Sequence, residues 1–232
     1  MRHHIRRHLE RLRKMERRRY HHLIHKLHKK HHISRKTLFY VKEYGPHTNV
    51  PRTIIRESVK ILLLASIVSS VGGFALESIK NTFLTLTPFI ILLPLLNNMI
   101  GSYGTIFSSK ISTMLHEGKL KYTLMRSRDL RELFLTILLT AVITSIVGTS
   151  LSLSIAFLAG SFLDHALILK IFLVSLVDVV LLVGILFFVS LFGGLYFYKK
   201  NEDPNNFLIP ITTSIADFGN MMILAFLIIY FF

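Results

Sequence analysis

Asp217, Thr213 and Asn220 are the residues of this chain best placed to do chemistry together. Spaced four and three apart, they fall on one helical face and offer a carboxylate, a hydroxyl and an amide oxygen. Such a donor set suits a hard cation, and Thr212 and Ser214 extend it with further hydroxyls. Two other carboxylates, Asp178 and Glu77, also stand in apolar runs. Asn97, Asn98, Gly101 and Ser102 follow Pro88 and Pro94, and Gly104, Thr105, Ser108, Ser109 and Lys110 come next. Proline removes a backbone donor and glycine loosens the turn, so carbonyls there are freed to hold a cation. The competing reading of that stretch is a kinked helix whose small residues pack. A separate constellation is His21, His25, His28 and His32, which on a helix form a stripe about 60° wide at ~100° per residue. Imidazoles at i and i+4 can share a transition metal, and they gain charge below pH ~6.5.

The elements that must position these groups follow from hydropathy. Hydrophobic residues make up 51% of the chain and mean hydropathy is +0.51, concentrated in runs too long for a soluble core. Five apolar segments at roughly 58 to 79, 83 to 115, 131 to 160, 166 to 198 and 207 to 231 predict an all-α integral membrane protein with five transmembrane helices. In hydrocarbon a charge costs at least ~2.5 to 3.5 kcal/mol on insertion scales, so an intramembrane Asp with no cation in its own segment is a functional candidate. Charge is unevenly divided: residues 1 to 60 hold 18 Lys/Arg against 4 Asp/Glu, and nearly all of the net +15 lies there. Lys119, Lys121, Arg126, Arg128 and Arg131 mark one connector and Lys199 and Lys200 another, whereas the opposite connectors carry only Lys80, or Asp164 and His165. By the positive-inside rule the N-terminus is cytoplasmic, the C-terminus is outside, and the protein is a multi-pass cell-membrane protein. The N-terminus lacks the pattern of a cleaved leader, so the first apolar segment is expected to stay as an anchor.

Within segment three, Thr140, Thr144, Gly148, Ser152, Ala156 and Gly160 recur every fourth residue and predict a small-residue face for close helix packing. Asp178 lies near the middle of segment four. It either pairs with Lys110 or lines a cation route. Glu77, at the outer end of segment one, reads as a mouth residue or a solvated helix end.

The string Glu202 to Asp217, Glu-Asp-Pro-Asn-Asn-Phe-Leu-Ile-Pro-Ile-Thr-Thr-Ser-Ile-Ala-Asp, resembles the last-helix signature of the MgtE-type divalent-cation transporters, especially their eukaryotic solute-carrier relatives. Pro94 to Thr113, with Gly101 and Ser108-Ser109-Lys110-Ile111-Ser112-Thr113, is similar to that family's second-helix signature. The resemblance spans about residues 55 to 232 and implies a magnesium pathway at the interface of two five-helix units, with Asp217 as central ligand. It departs where Gly101 is followed by Ser102 instead of Asn, and where Ile106 replaces the Gln of many bacterial members. The sequence shows no counterpart of the bacterial regulatory cytosolic domains, so gating through them is not expected. The weakened second-helix motif makes a heterodimer with a related five-helix subunit an alternative to a homodimer. Mg2+ prefers octahedral oxygen ligands and sheds water reluctantly, which fits a sparse set of donors. It enters as the transported ion, and no cofactor is expected.

Residues 1 to 43 read as a basic, His-rich cytoplasmic arm, 44 to 56 as a linker, and 57 to 232 as the membrane domain. If helical, the arm is amphipathic, and residues 1 to 36 are expected to lie on an anionic lipid surface. The histidine stripe as a metal or pH sensor, and nucleic-acid binding, are its alternatives. With no cysteine, disulfides, thiolate metal sites and cysteine nucleophiles are excluded. No Gly-x-Ser-x-Gly, His-Glu-x-x-His or phosphate-cradling string occurs, so an enzyme is not expected. The alternative to transport is a non-transporting membrane partner or scaffold that anchors a soluble protein through the arm.

Overall fold

The computed structural model describes residues 50–116, 120, 128–200 and 203–232. The stripe of His21, His25, His28 and His32, the connector residues Lys119, Lys121 and Arg126, and Asn201 and Glu202 lie outside the described residues. Six helices run through the described part: α1 (Val50–Ser78), α2 (Lys80–Thr85), α3 (Thr87–His116), α4 (Arg128–Leu158), α5 (His165–Lys199) and α6 (Pro204–Phe231). All but α2 contain a stretch long and apolar enough to cross a membrane, so the fold is all-α with five spans. The four longest spans have 28 to 35 residues. At ~1.5 Å rise each exceeds ~30 Å of hydrocarbon, so they tilt or project beyond it.

Several ends follow from local chemistry. The run expected as one helix from 83 to 115 is broken at Leu86, which caps α2. Pro88 then falls in the first turn of α3, where a missing N–H has no partner to lose, and only Pro94 interrupts the helix. α4 stops at Leu158, short of the expected 160. Gly160 adopts φ 85, Gly160 N–H donates to Phe157 O at 3.0 Å and Ser161 N–H to Ala156 O at 3.0 Å. That is a Schellman ending, and it needs a residue free to take positive φ. Asp203 caps α6 by accepting from Asn205 N–H at 3.1 Å, with Pro204 beside it at the first helical position. α1 begins at Val50, so the described part of the stretch expected as linker is helical.

The bundle is built around α3. Phe89, Leu92, Leu96, Ile100, Tyr103, Phe107 and Ile111 recur at three- and four-residue steps and are buried. α3, α5 and α6 pack on one another, α4 covers α3 and α5, and α1 lies along α6. Most large side chains of α1, Leu62, Leu63, Ile67 and Phe74 among them, face outward, as a lipid-facing helix requires. The middle of the predicted small-residue face of α4 forms its seam with α3, whereas Thr140 is exposed and Gly160 lies beyond the helix end. Thr144 bonds the Tyr103 hydroxyl, Gly148 admits Leu95, and Ser152 Oγ donates to the Pro88 carbonyl at 2.7 Å.

Candidate functional site

Where α3 crosses α6, glycines let the backbones approach. A Cβ built on Gly104 would lie 3.0 Å from Thr212 Cβ, and one on Gly101 would lie 3.9 Å from a Thr213 methyl. Deeper along this seam, Thr212 Oγ1 donates to the Leu208 carbonyl at 2.8 Å. Its lone pairs then receive Ser108 Oγ at 3.2 Å, which in turn receives Ser190 Oγ of α5 at 3.3 Å. Three buried hydroxyls are thereby satisfied in one directional chain that ties α3, α5 and α6 together. Further along, Asn220 Nδ2 donates to Asn97 Oδ1.

Asp217 occupies the side of α6 turned toward α1. It is half-buried, and its Oδ2 accepts from Ser69 Oγ at 3.4 Å. Thr213, one turn earlier, is also half-buried, with its hydroxyl turned back to the Ile209 and Pro210 carbonyls at 3.0 and 3.1 Å. Its oxygen lone pairs stay available to a ligand. Beside them, α3 presents Asn98, Ser102, Ser109, Lys110 and Thr113 as an exposed polar stripe. Ser102, like Thr113, satisfies its proton internally, donating to the Asn98 carbonyl at 2.7 Å. Asp217 and Thr213 on α6 and Asn98 and Ser102 on α3 therefore border one open face of the bundle, with oxygen atoms as its donors.

Residues 93–227, more than half of the chain, match the family model of MgtE, described as a divalent cation transporter. The chain belongs to the MgtE family. Comparison with curated proteins and with solved structures returned no match. Membership makes this a multi-pass membrane protein of divalent-cation transport and not an enzyme. The region matched to MgtE holds the α3–α6 seam and Asp217, and leaves α1 with Ser69 outside it.

The expected site residues of this MgtE protein separate into three places. Asp217, Thr213, Asn98 and Ser102 border the open face. Asn97, Asn220 and Asp178 turn into the bundle, so Asn220 does not share the surroundings of Asp217 despite its helical spacing. Glu77 is exposed at the end of α1 and pairs with Lys80 at 3.2 Å. The pairing of Asp178 with Lys110 that the sequence left open does not occur: Asp178 is fully buried with neither oxygen bonded, and Lys110 is exposed. Sequence reasoning passed over Ser69 and Ser190. Ser69-Ser70 followed by Gly72-Gly73 is a small, polar run in a Leu-rich segment and was a readable signal for Ser69. Ser190 offered none, since a lone Ser in a helix usually bonds its own backbone.

Proposed function

We propose that this chain moves Mg2+ across the membrane along a pathway formed where two five-helix units meet, with Asp217 as the central ligand. The observation that carries the reading is the polar stripe of α3, where the Asn98 amide and Lys110 are exposed along with Ser102 and Ser109 beside Thr213 and Asp217. In a single unit, Asn98, Ser102 and Ser109 would face hydrocarbon, which is costly for groups able to hydrogen-bond. A second unit set against that face encloses a polar route instead. Sparse oxygen donors with one carboxylate per unit suit an ion that keeps most of its water. Thr213, Asn98 and Ser102 supply neutral oxygens beside Asp217, and Glu77 stands at the outer mouth. The N-terminus is cytoplasmic and the C-terminus outside, and residues 1 to 36 rest on the anionic inner leaflet. A homodimer is the simplest assembly, with a related five-helix subunit as the variant form.

The test is reconstitution of the purified chain in liposomes loaded with a magnesium-sensitive dye, run with several divalent ions. Wild type carries Mg2+. Asp217→Asn keeps the bond from Ser69 but removes the charge that attracts the cation, so it folds and loses flux at least tenfold, about 1.4 kcal/mol in the barrier. Normal divalent flux through well-folded Asp217→Asn would end the assignment of Asp217.

A further inference from the structure

The bundle contains a second group of oxygen donors, turned away from the open face. Ser145, Asp178 and Asn220 are all but fully buried, at 1%, 0% and 0% exposure. Ser145 Oγ, both oxygens of Asp178 and Asn220 Oδ1 have no hydrogen-bond partner. Leaving buried polar atoms unpaired costs about 1 to 3 kcal/mol each, more for a charge, so such atoms gathered at one level point to something that they bind.

Contacts between the helices show that they do share a level. Ser108 of α3 meets Ser190 of α5, and one turn away Gly104 faces Leu186. Two further turns along these helices bring Asn97 level with Asp178. Asn97 is bonded to Asn220 of α6. On the other flank, Thr149 Oγ1 of α4 bonds Ser175 Oγ of α5 at 2.8 Å. Because α4 and α5 run in opposite directions, Ser145, one turn before Thr149, comes level with Asp178, about one turn after Ser175. Leu182 of α5 packs on Gly219, so four helices bring one side chain each, Asn97, Ser145, Asp178 and Asn220, to within about one turn of the same depth inside one chain.

We propose that this group is an intrachain binding site for one small alkali cation, separate from the divalent route. The donors are all oxygens and carry one negative charge between them. Among the described residues no Lys or Arg pairs with it: Lys110 lies roughly 20 Å further along α3 and is exposed, and Lys170, about 12 Å back along α5, donates to the Phe231 carbonyl. A monovalent ion leaves the buried site neutral, whereas a divalent ion would leave a net positive charge in a low-dielectric interior. Mg2+ also holds its waters tightly, and Phe89, Leu92, Leu96 and Val174 of the same core are fully buried apolar side chains that cannot replace them. Asp217 is a separate group, half-buried and turned to Ser69 of α1.

The site is read by binding and not by flux, so its failure and the failure of the transport reading are separate events. Purified full-length protein at pH 7.5 is equilibrated with 22Na+ at constant ionic strength maintained by choline chloride, and its thermal unfolding is followed with NaCl, LiCl or KCl replacing choline. Saturable binding of one 22Na+ per chain is expected, with unlabelled Na+ or Li+ displacing it and the same ions raising the unfolding temperature relative to choline. Asp178→Asn removes saturable binding, Ser145→Ala weakens it several-fold, and Asp217→Asn leaves it unchanged. Because Ser145→Ala only deletes an unbonded hydroxyl, it folds and keeps the test informative if Asp178→Asn does not. Absence of saturable binding and of any shift relative to choline overturns the proposal. So does binding that survives intact in Ser145→Ala and Asp178→Asn, or that Asp217→Asn abolishes, or that Mg2+ displaces as effectively as Na+.

Discussion

A single amide pair holds the middle of the α3–α6 seam, and its energetics are testable. Asn97 and Asn220 each present an amide that can be satisfied only across the helix boundary. Asn97→Ala strands the Asn220 Nδ2 donor in the core and is expected to destabilise the protein by about 1 to 3 kcal/mol. Asn220→Leu combined with Asn97→Ala removes both polar partners and recovers part of that loss, a coupling that a double-mutant cycle of thermal unfolding measures. Asp217 behaves differently. It is half-buried and held by one long bond from Ser69, so Asp217→Asn changes transport far more than stability. The two residues lie three apart on one helix, yet one serves packing across α3 and the other borders the open face. Their roles diverge because a helix three residues on has turned by about 60°, enough to face a different neighbour.

At the scale of elements, close approach depends on where glycine stands. Gly104 admits Thr212, whereas Gly73 has nothing within 4 Å of a built Cβ. Gly104→Val therefore forces α3 and α6 apart, with an expected cost of about 1 to 3 kcal/mol and a breakdown of the Ser190–Ser108–Thr212 chain. Gly73→Ala is expected to be neutral or slightly stabilising, since alanine favours the helix and meets no neighbour. Melting curves of both variants in the same detergent separate steric from propensity effects. The start of α5 and the end of α6 are joined by a different device: Lys170 Nζ donates to the Phe231 carbonyl at 2.8 Å and sits over the Phe232 ring at 5.2 Å. It thereby satisfies a carbonyl that the helix end cannot.

At the scale of the whole molecule, the question is what covers the open face. The chain has no cysteine, so introduced ones report without background. Ser102→Cys lies on the exposed stripe of α3 and is expected to form a disulfide-linked dimer under mild oxidation if two copies meet there. Cysteine at Phe74, which is exposed on α1, should stay monomeric under the same conditions. Single cysteines also fix orientation: one at Ser161 is expected to react with an impermeant thiol reagent added outside, and one at Ser127 to be shielded. The opposite labelling pattern would reverse the assigned topology.

The span count, the all-α class and the family were legible because hydrophobic run length and the Asp203-Pro204 to Asp217 string are local properties of the chain. The packing role of the small residues on α4 was legible for the same reason, since a four-residue period is a surface before any partner is known. The break at Leu86 was not, because Pro88 reads alike as a kink within a helix or as the first turn of a new one. What tertiary structure alone decided is which polar residues look outward and which look in. Asn97 and Asn98 are neighbours in sequence and chemically identical, yet the first is bonded to Asn220 inside the bundle and the second is exposed. Asp178 and Asp217 are likewise each lone carboxylates in apolar helices. Only the packing of α3, α4, α5 and α6 set one among unpaired oxygens and the other beside Ser69, because burial depends on partners that come from far along the chain.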